Sequence, residues 1–181
     1  ETGYTLYFNL SNNTNTVNNI GYAPANITNG TINSLTPDTT YYFWVKVLNL
    51  GGSSGFSAVA SNHTPPLPPA PPVIYSVAVI STSQLGITWQ NIANETGYTL
   101  YYSSVKATNT ATNLGGFAVN TTNYNDIGLT PDTIYYYWVK AVNLGGTSGF
   151  SAVASNRTLP LPSAPPVIYS LTVLSATQMN I

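Results

Sequence analysis

Few residues in this chain could do chemistry. The carboxylates are Glu1, Asp38, Glu95, Asp126 and Asp132, and the cations are Lys46, Lys106, Lys140 and Arg157. Glu95 and Asp132 are the residue types of an acid–base pair that cleaves glycosidic bonds. Asp132, however, stands in Thr130-Pro131-Asp132-Thr133, where aspartate is a turn former. Asn125-Asp126 could hold a weak calcium ion, without EF-hand spacing to support it. His63 is the only histidine and cysteine is absent, so no zinc set is available. Gly145-Gly146 follows no phosphate-binding pattern. The expectation is no catalytic residue, no metal and no cofactor, and a chain that is not an enzyme.

Two other residue classes could carry function. Acceptor sequons for N-linked glycan, Asn-x-Ser/Thr, begin at Asn9, Asn12, Asn26, Asn29, Asn62, Asn94, Asn120 and Asn156. Chance produces a share of these in so Asn- and Thr-rich a chain, yet Asn26 corresponds to Asn120 and Asn62 to Asn156. The second class is aromatic. Where Tyr135, Tyr137 and Val139 point inward, Tyr136, Trp138 and Lys140 point outward, with Tyr101 on the same outer face. Tyr7, Tyr42, Trp44 and Lys46 repeat the pattern. An exposed Trp among Tyr neighbours marks an interface or a sugar platform. The plainer alternative is cross-strand pairing with the lysine stem over the rings.

These residues sit on a repeat. Glu1-Thr2-Gly3-Tyr4-Thr5-Leu6-Tyr7 returns as Glu95 to Tyr101, and Leu35-Thr36-Pro37-Asp38-Thr39 as Leu129 to Thr133, both 94 positions on. Ala164 to Ser170 repeats Ala70 to Ser76 and opens a third copy running to Ile181, the counterpart of Ile87. Such a period means an array of small domains. Apolar residues alternate with polar ones at Leu85, Ile87 and Trp89, at Tyr98, Leu100 and Tyr102, and at Tyr135, Tyr137, Val139 and Ala141, the mark of half-buried strands. Pro-rich runs at 65–72 and 159–166 interrupt the pattern and stiffen the connections. The predicted division is 1–64, 65–158 with its linker at 65–72, and 159–181.

Composition narrows the partners. Charged residues are 5% of the chain, against about 25% in an average soluble domain. A net charge of −1 gives no field for nucleic acid or an anionic membrane. No apolar run approaches the roughly 18 residues of a membrane helix. With few groups to titrate, stability should depend weakly on pH.

The order Ala-Pro-Pro, a strand ending in Trp89, Tyr98, then Leu129-x-Pro131-x-Thr133-x-Tyr135-x-Tyr137-x-Val139 resembles the fibronectin type III family. The resemblance implies an all-β fold, tandem immunoglobulin-like β-sandwiches of fibronectin type III type. It implies that Trp89 lies on strand B and that Leu129, Pro131 and Tyr135 form a tyrosine corner, as do Leu35, Pro37 and Tyr41. Residues 70–158 read as one complete domain, 1–64 as strands C to G of a preceding one, and 164–181 as strand A and the start of B of the next. The Arg-Gly-Asp attachment sequence of some members is absent from the loop at 143–149. Residues 8–13 and 20–34 match their counterparts poorly, which fits either an edge facing different surroundings or simple drift.

The first copy thus lacks strands A and B within this sequence. Those strands should bury four to six large apolar side chains, worth roughly 6–18 kcal/mol in total at about 1.5–3 each. That is as large as a typical domain's whole stability of about 5–15 kcal/mol. Either the polypeptide continues upstream, or residues 164–181 of another copy complete the sandwich. The seven positions left between the two, counterparts of Thr88 to Asn94, favour one long repetitive chain. The functional expectation is a structural repeat unit of an extracellular filament, sheath or surface stalk whose partners are copies of itself. An adhesin that binds surface glycans, or a spacer in a secreted polysaccharide-active enzyme, is the alternative.

Overall fold

The computed structural model describes residues 1–180; Ile181, the end of the third-copy opening, lies outside them. The first copy contributes β1 (Gly3–Asn9), β2 (Asn18–Pro24), β3 (Thr40–Asn49), β4 (Gly52–Ser53) and β5 (Ala60–His63). The second contributes β6 (Ile74–Val79), β7 (Gln84–Trp89), β8 (Gly97–Ser103), β9 (Thr112–Ala118), β10 (Asn123–Ile127), β11 (Ile134–Asn143), β12 (Gly146–Thr147) and β13 (Ala154–Arg157). The third opens with the hairpin β14 (Thr172–Ser175) and β15 (Gln178–Asn180). Among the described residues, helix is limited to a single 3-10 turn at Thr108–Thr110.

Residues 65–158 form a complete two-layer sandwich. One sheet has the order β10-β7-β6 and the other β12-β11-β8-β9, with β13 on the far part of β11. Alternate side chains enter the space between them. Val77, Leu85, Ile87 and Trp89 come from one layer, and Tyr98, Leu100, Tyr135, Tyr137, Val139 and Ala141 from the other, with Leu129 closing one end. Trp89 is central, edge-on to Tyr98 at 5.8 Å and to Phe117 at 5.7 Å.

The first copy builds only one of these layers. Its sheet, β2-β1-β3-β4 with β5 on β3, repeats the second copy's pairing residue for residue: Leu6 faces Val45 as Leu100 faces Val139, and Tyr7 faces Trp44 as Tyr101 faces Trp138. Even the bulge is shared, with Gly21 and Gly115 at φ 142° and 115°, a region that glycine enters without strain. Residues 1–64 form no opposite layer. Residues 29–33, counterparts of β10, form no strand. The physical reason lies in pairing: β10 is held by hydrogen bonds to β7, and no described residue offers the first copy an equivalent.

One backbone position also separates the copies. Ser34 lies at φ 61°, where the second copy has Gly128 at φ 76°. Left-handed backbone costs a residue with a Cβ more than it costs glycine. Ser34→Gly should therefore stabilise this turn by about 1 kcal/mol, read as an upward shift in the denaturation midpoint; an unchanged or lowered midpoint would contradict it.

Candidate functional site

The uncovered layer of the first copy leaves an apolar trough of about 650 Å³. Its floor includes Tyr4, Leu6, Phe43 and Val45, and its rim includes Ile27 to Gly30. The second copy shows what such a floor normally carries. Leu100, Tyr137 and Val139 are fully buried there, while Leu6, Phe43 and Val45 remain partly exposed. Val47 is 38% exposed where Ala141 is 0%. At the other end of the chain, β14 and β15 lie free. Tyr169, Leu171, Val173, Leu174 and Met179 are all more than half exposed.

A second feature is the seat of the linker. The Asn143 side-chain amide donates to the Leu67 carbonyl at 2.9 Å, and its oxygen accepts the Gly145 N–H at 2.8 Å. A Cβ on Gly145 would overlap the Pro66 carbonyl, so only glycine lets the linker lie this close. Pro68 packs beside Gly146. The proline run is thus fastened to the β11–β12 turn of the domain that it precedes. Asn49, Leu50 and Gly51 reproduce this turn in the first copy; Leu50 is 100% exposed and nothing lies on Gly51 but the Asn49 side chain.

The aromatic outer face differs from the expectation of exposed tryptophans. Trp44 and Trp138 are each only 5% exposed. The cover comes from further along the same chain. Ser148 Oγ accepts the Ala141 N–H at 2.9 Å and Ser151 Oγ accepts the Val139 N–H at 3.0 Å, fixing the segment between them against β11. Phe150 then lies edge-on to Tyr101 at 5.0 Å, with Lys140 Nζ 3.9 Å from its ring centroid. Ser54, Ser57, Phe56, Tyr7 and Lys46 repeat this in the first copy. Tyr7, Tyr42, Tyr101 and Tyr136 remain half-buried. The recurrence of Ser-x-Phe-Ser at 54–57 and 148–151 was the readable signal for this cover. Ser151→Ala should cost about 1–3 kcal/mol, because it strands the N–H of fully buried Val139. Chemical denaturation would read the loss, and a value within error of zero would show that the backbone finds another acceptor.

The tyrosine-corner residues lie at the start of β3 and β11. Tyr41 Oη accepts the Thr36 N–H at 2.8 Å, and Tyr135 Oη accepts the Thr130 N–H at 3.0 Å. Pro37 and Pro131 precede Asp38 and Asp132, both left-handed, while Leu129 is buried and Leu35 half-buried.

Glu95 and Asp132 are not brought together. Glu95 adjoins Thr96, which bonds to Val142 at one end of β11, and Asp132 lies just before Ile134 at the other. Eight residues of strand put them about 25 Å apart at roughly 3.3 Å each, too far for one sugar bond. Glu95 is buried and accepts the Asn120 N–H at 2.7 Å. Asp132 pairs with Arg157 at 3.4 Å, as Asp38 pairs with His63 at 3.0 Å. Both pairs are exposed, so His63→Arg should leave stability unchanged. Asp126 is buried, and the Tyr137 hydroxyl donates to its Oδ2 at 2.8 Å. Burial pushes the Asp126 carboxyl above the usual aspartate range, and the Tyr137 hydroxyl is raised by burial and by Asp126. Among the described residues no three His, Cys, Asp or Glu side chains gather to hold a metal.

The sequons divide by the state of their amide nitrogen. Asn12, Asn26, Asn29, Asn62, Asn94 and Asn120 are exposed, and Asn26, Asn94 and Asn120 occupy left-handed turn positions. Asn9 donates to the Asn13 carbonyl and Thr16 Oγ1. Asn156 is half-buried and donates to the Val77 carbonyl at 2.7 Å.

Comparison with known proteins agrees with this geometry. The sequence profile of the fibronectin type III domain matches residues 70–157. Over 63 residues the chain is 43% identical to fibronectin type-III domain-containing protein 3A of Pongo abelii and 41% identical to that of Homo sapiens. Each match covers 35% of this chain and only 5% of the relative's length. The crystal structure of chicken CNTN1 FN1-FN3 domains aligns with a TM-score of 0.54 at 22% identity, over 87% of this chain and 56% of that one. No helix among the described residues is long and apolar enough to cross a membrane.

Proposed function

Residues 70–157 are a fibronectin type III domain, and from that premise we propose that the chain is a structural segment of an extracellular filament, sheath or surface stalk. Its sandwiches are stacked in tandem and its partners are copies of itself. The observation that carries this reading is the fastened linker. A flexible tether between binding modules gains nothing from a glycine whose only room is filled by the preceding proline run. A load-bearing array does, because a fixed linker sets the direction of one sandwich against the next. The low charge supports the same reading, since a nearly uncharged surface offers little repulsion between neighbouring copies.

Backbone amide relaxation tests the linker. The Leu67 and Ala70 amides should show order parameters of about 0.85, like β11, whereas a flexible tether gives values below about 0.6. Gly145→Ala should release the linker and bring those values down. An ordered linker in that variant would mean that the glycine seat is not what holds it.

Glycan on the exposed sequons would keep such a surface soluble. In a glycosylating host, Asn120 should be occupied and Asn156 empty, because the Asn156 amide is engaged by the Val77 carbonyl. Glycopeptide mass spectrometry reads both sites, and an occupied Asn156 in folded protein would contradict this assignment.

A further inference from the structure

We infer that the complete domain carries a binding site for a primary ammonium group, in a polar cavity built around buried Asp126. The inference goes beyond the array reading and does not depend on it. The cavity measures about 610 Å³ and opens between the end of β8, the start of β9, the end of β10 and the turn that leads into β11. Tyr102, Ser103, Thr110, Asp126, Leu129 and Tyr135 are among its lining residues.

Comparison of the two copies picks out this place. Glu1 to Tyr7 returns unchanged as Glu95 to Tyr101, and the next three positions all differ: Tyr102, Ser103 and Ser104 stand where the first copy has Phe8, Asn9 and Leu10. All three line the cavity. Asp126, which lines it too, stands in place of Ile32. Tyr137, which holds Asp126 through its hydroxyl, stands in place of Phe43. Four apolar side chains are thus exchanged for oxygen-bearing ones around one cavity. Drift in a loop does not explain this, since Asp126 and Tyr137 are buried and lie on β10 and β11. A buried carboxylate costs stability, and such a group kept beside a cavity marks a site rather than a structural part.

The hydrogen-bond inventory selects the ligand. Asp126 is the one charged group of the lining, and an ionised carboxylate only accepts. Two of the hydroxyls already donate to their own chain, Thr110 to the Ala107 carbonyl at 3.2 Å and Thr133 to the Pro131 carbonyl at 2.9 Å. What these two turn to a ligand is lone pairs. A primary ammonium has three donors, no acceptor and the charge that Asp126 lacks. Among the described residues the ion pairs are His63 with Asp38 and Arg157 with Asp132, so no cation of these residues neutralises Asp126. A neutral polyol would leave the carboxylate uncompensated. A hard divalent ion draws about six to eight oxygens, and a bare ion fills little of such a volume. The ring of Tyr102, its centroid 6.0 Å from that of Tyr135, gives an aromatic wall for an alkyl stem and its charge. A free alkylamine and a lysine side chain of another protein share this chemistry.

The test follows the amide chemical shifts of the whole chain near neutral pH as n-butylamine hydrochloride, Nα-acetyl-lysine amide and 1-butanol are each added. The amines should move the amides of Ser103, Ser104, Ile127 and Gly128 with dissociation constants of about 1–10 mM, and 1-butanol should not. Equal affinity for the two amines assigns the site to a lysine side chain, and binding of butylamine alone assigns it to a free amine. Asp126→Asn should weaken butylamine binding about tenfold or more. That variant should also be the more stable one near neutral pH, so its loss of binding cannot come from unfolding. Ser104→Leu, which places the first copy's residue at an exposed position, should weaken binding several-fold. Ser155→Ala, exposed on β13 and outside the lining, should bind like the parent chain. No shift with either amine overturns the inference, as do equal shifts with 1-butanol or undiminished binding by Asp126→Asn. Calcium chloride moving the same amides at lower concentration than butylamine would give the cavity to a metal ion and overturn it too.

Discussion

Leu100→Ala should cost about 2–5 kcal/mol, and Leu6→Ala, at the matching position, far less in the dispersed chain. The two leucines have the same neighbours in sequence and the same cross-strand partner type, Val139 and Val45. They differ in what lies above them. Leu100 is 0% exposed beneath the β6–β7 layer, whereas Leu6 borders the open trough. Truncating Leu100 loses transfer free energy and leaves a cavity; truncating Leu6 widens a groove already open to water. Denaturation of both variants reads the contrast directly. Equal losses would mean that the first copy is closed in solution.

Tyr137→Phe should be the costlier half of a pair whose double replacement is nearly free. It removes the hydroxyl donated to buried Asp126 and leaves that carboxylate without its partner, at a cost of about 1–3 kcal/mol or more. The first copy holds the double replacement already, with Ile32 and Phe43 at the corresponding positions. Asp126→Ile with Tyr137→Phe should therefore come out neutral or stabilising. The same pair sets a pH dependence. Burial raises the folded Asp126 above the unfolded value of about 3.9. A carboxyl raised in this way costs nothing below the unfolded value and destabilises progressively as pH rises through its folded value. Asp126→Asn should leave stability near pH 3 unchanged and increase it at pH 7. A gain of equal size at both values would locate the effect in packing rather than ionisation.

The layer that each strand joins was legible in the sequence, because half-buried strands must alternate. The alternation around Tyr137 and Val139 separates the core face from the face of Tyr136, Trp138 and Lys140 as the structure does. What alternation cannot give is the material lying over a face. Trp44 reads as exposed because Phe56, edge-on to it at 6.4 Å, comes from beyond the next turn and is held by serine hydroxyls rather than by a strand pattern. Asp126 was hidden for a related reason. In sequence it is one polar residue in a polar run, and its partner lies on the opposite sheet. The exchange of Asp126 and Tyr137 for Ile32 and Phe43 was the readable clue. The single sheet of residues 1–64 followed from the repeat register, since those residues correspond to strands C to G alone. The unformed strand at 29–33 did not follow from matching residues alone, because a strand that depends on a partner's ladder needs that partner present.

The central claim is that these sandwiches build a fibre by stacking end to end. Electron microscopy of the native material tests it most directly. A sandwich of strands some 8–10 residues long measures about 30–35 Å, so a two-domain unit should give an axial repeat of about 60–70 Å. Fibres with that spacing are the predicted result. Dispersed particles, or a short flexible tail on a larger body, would contradict the account.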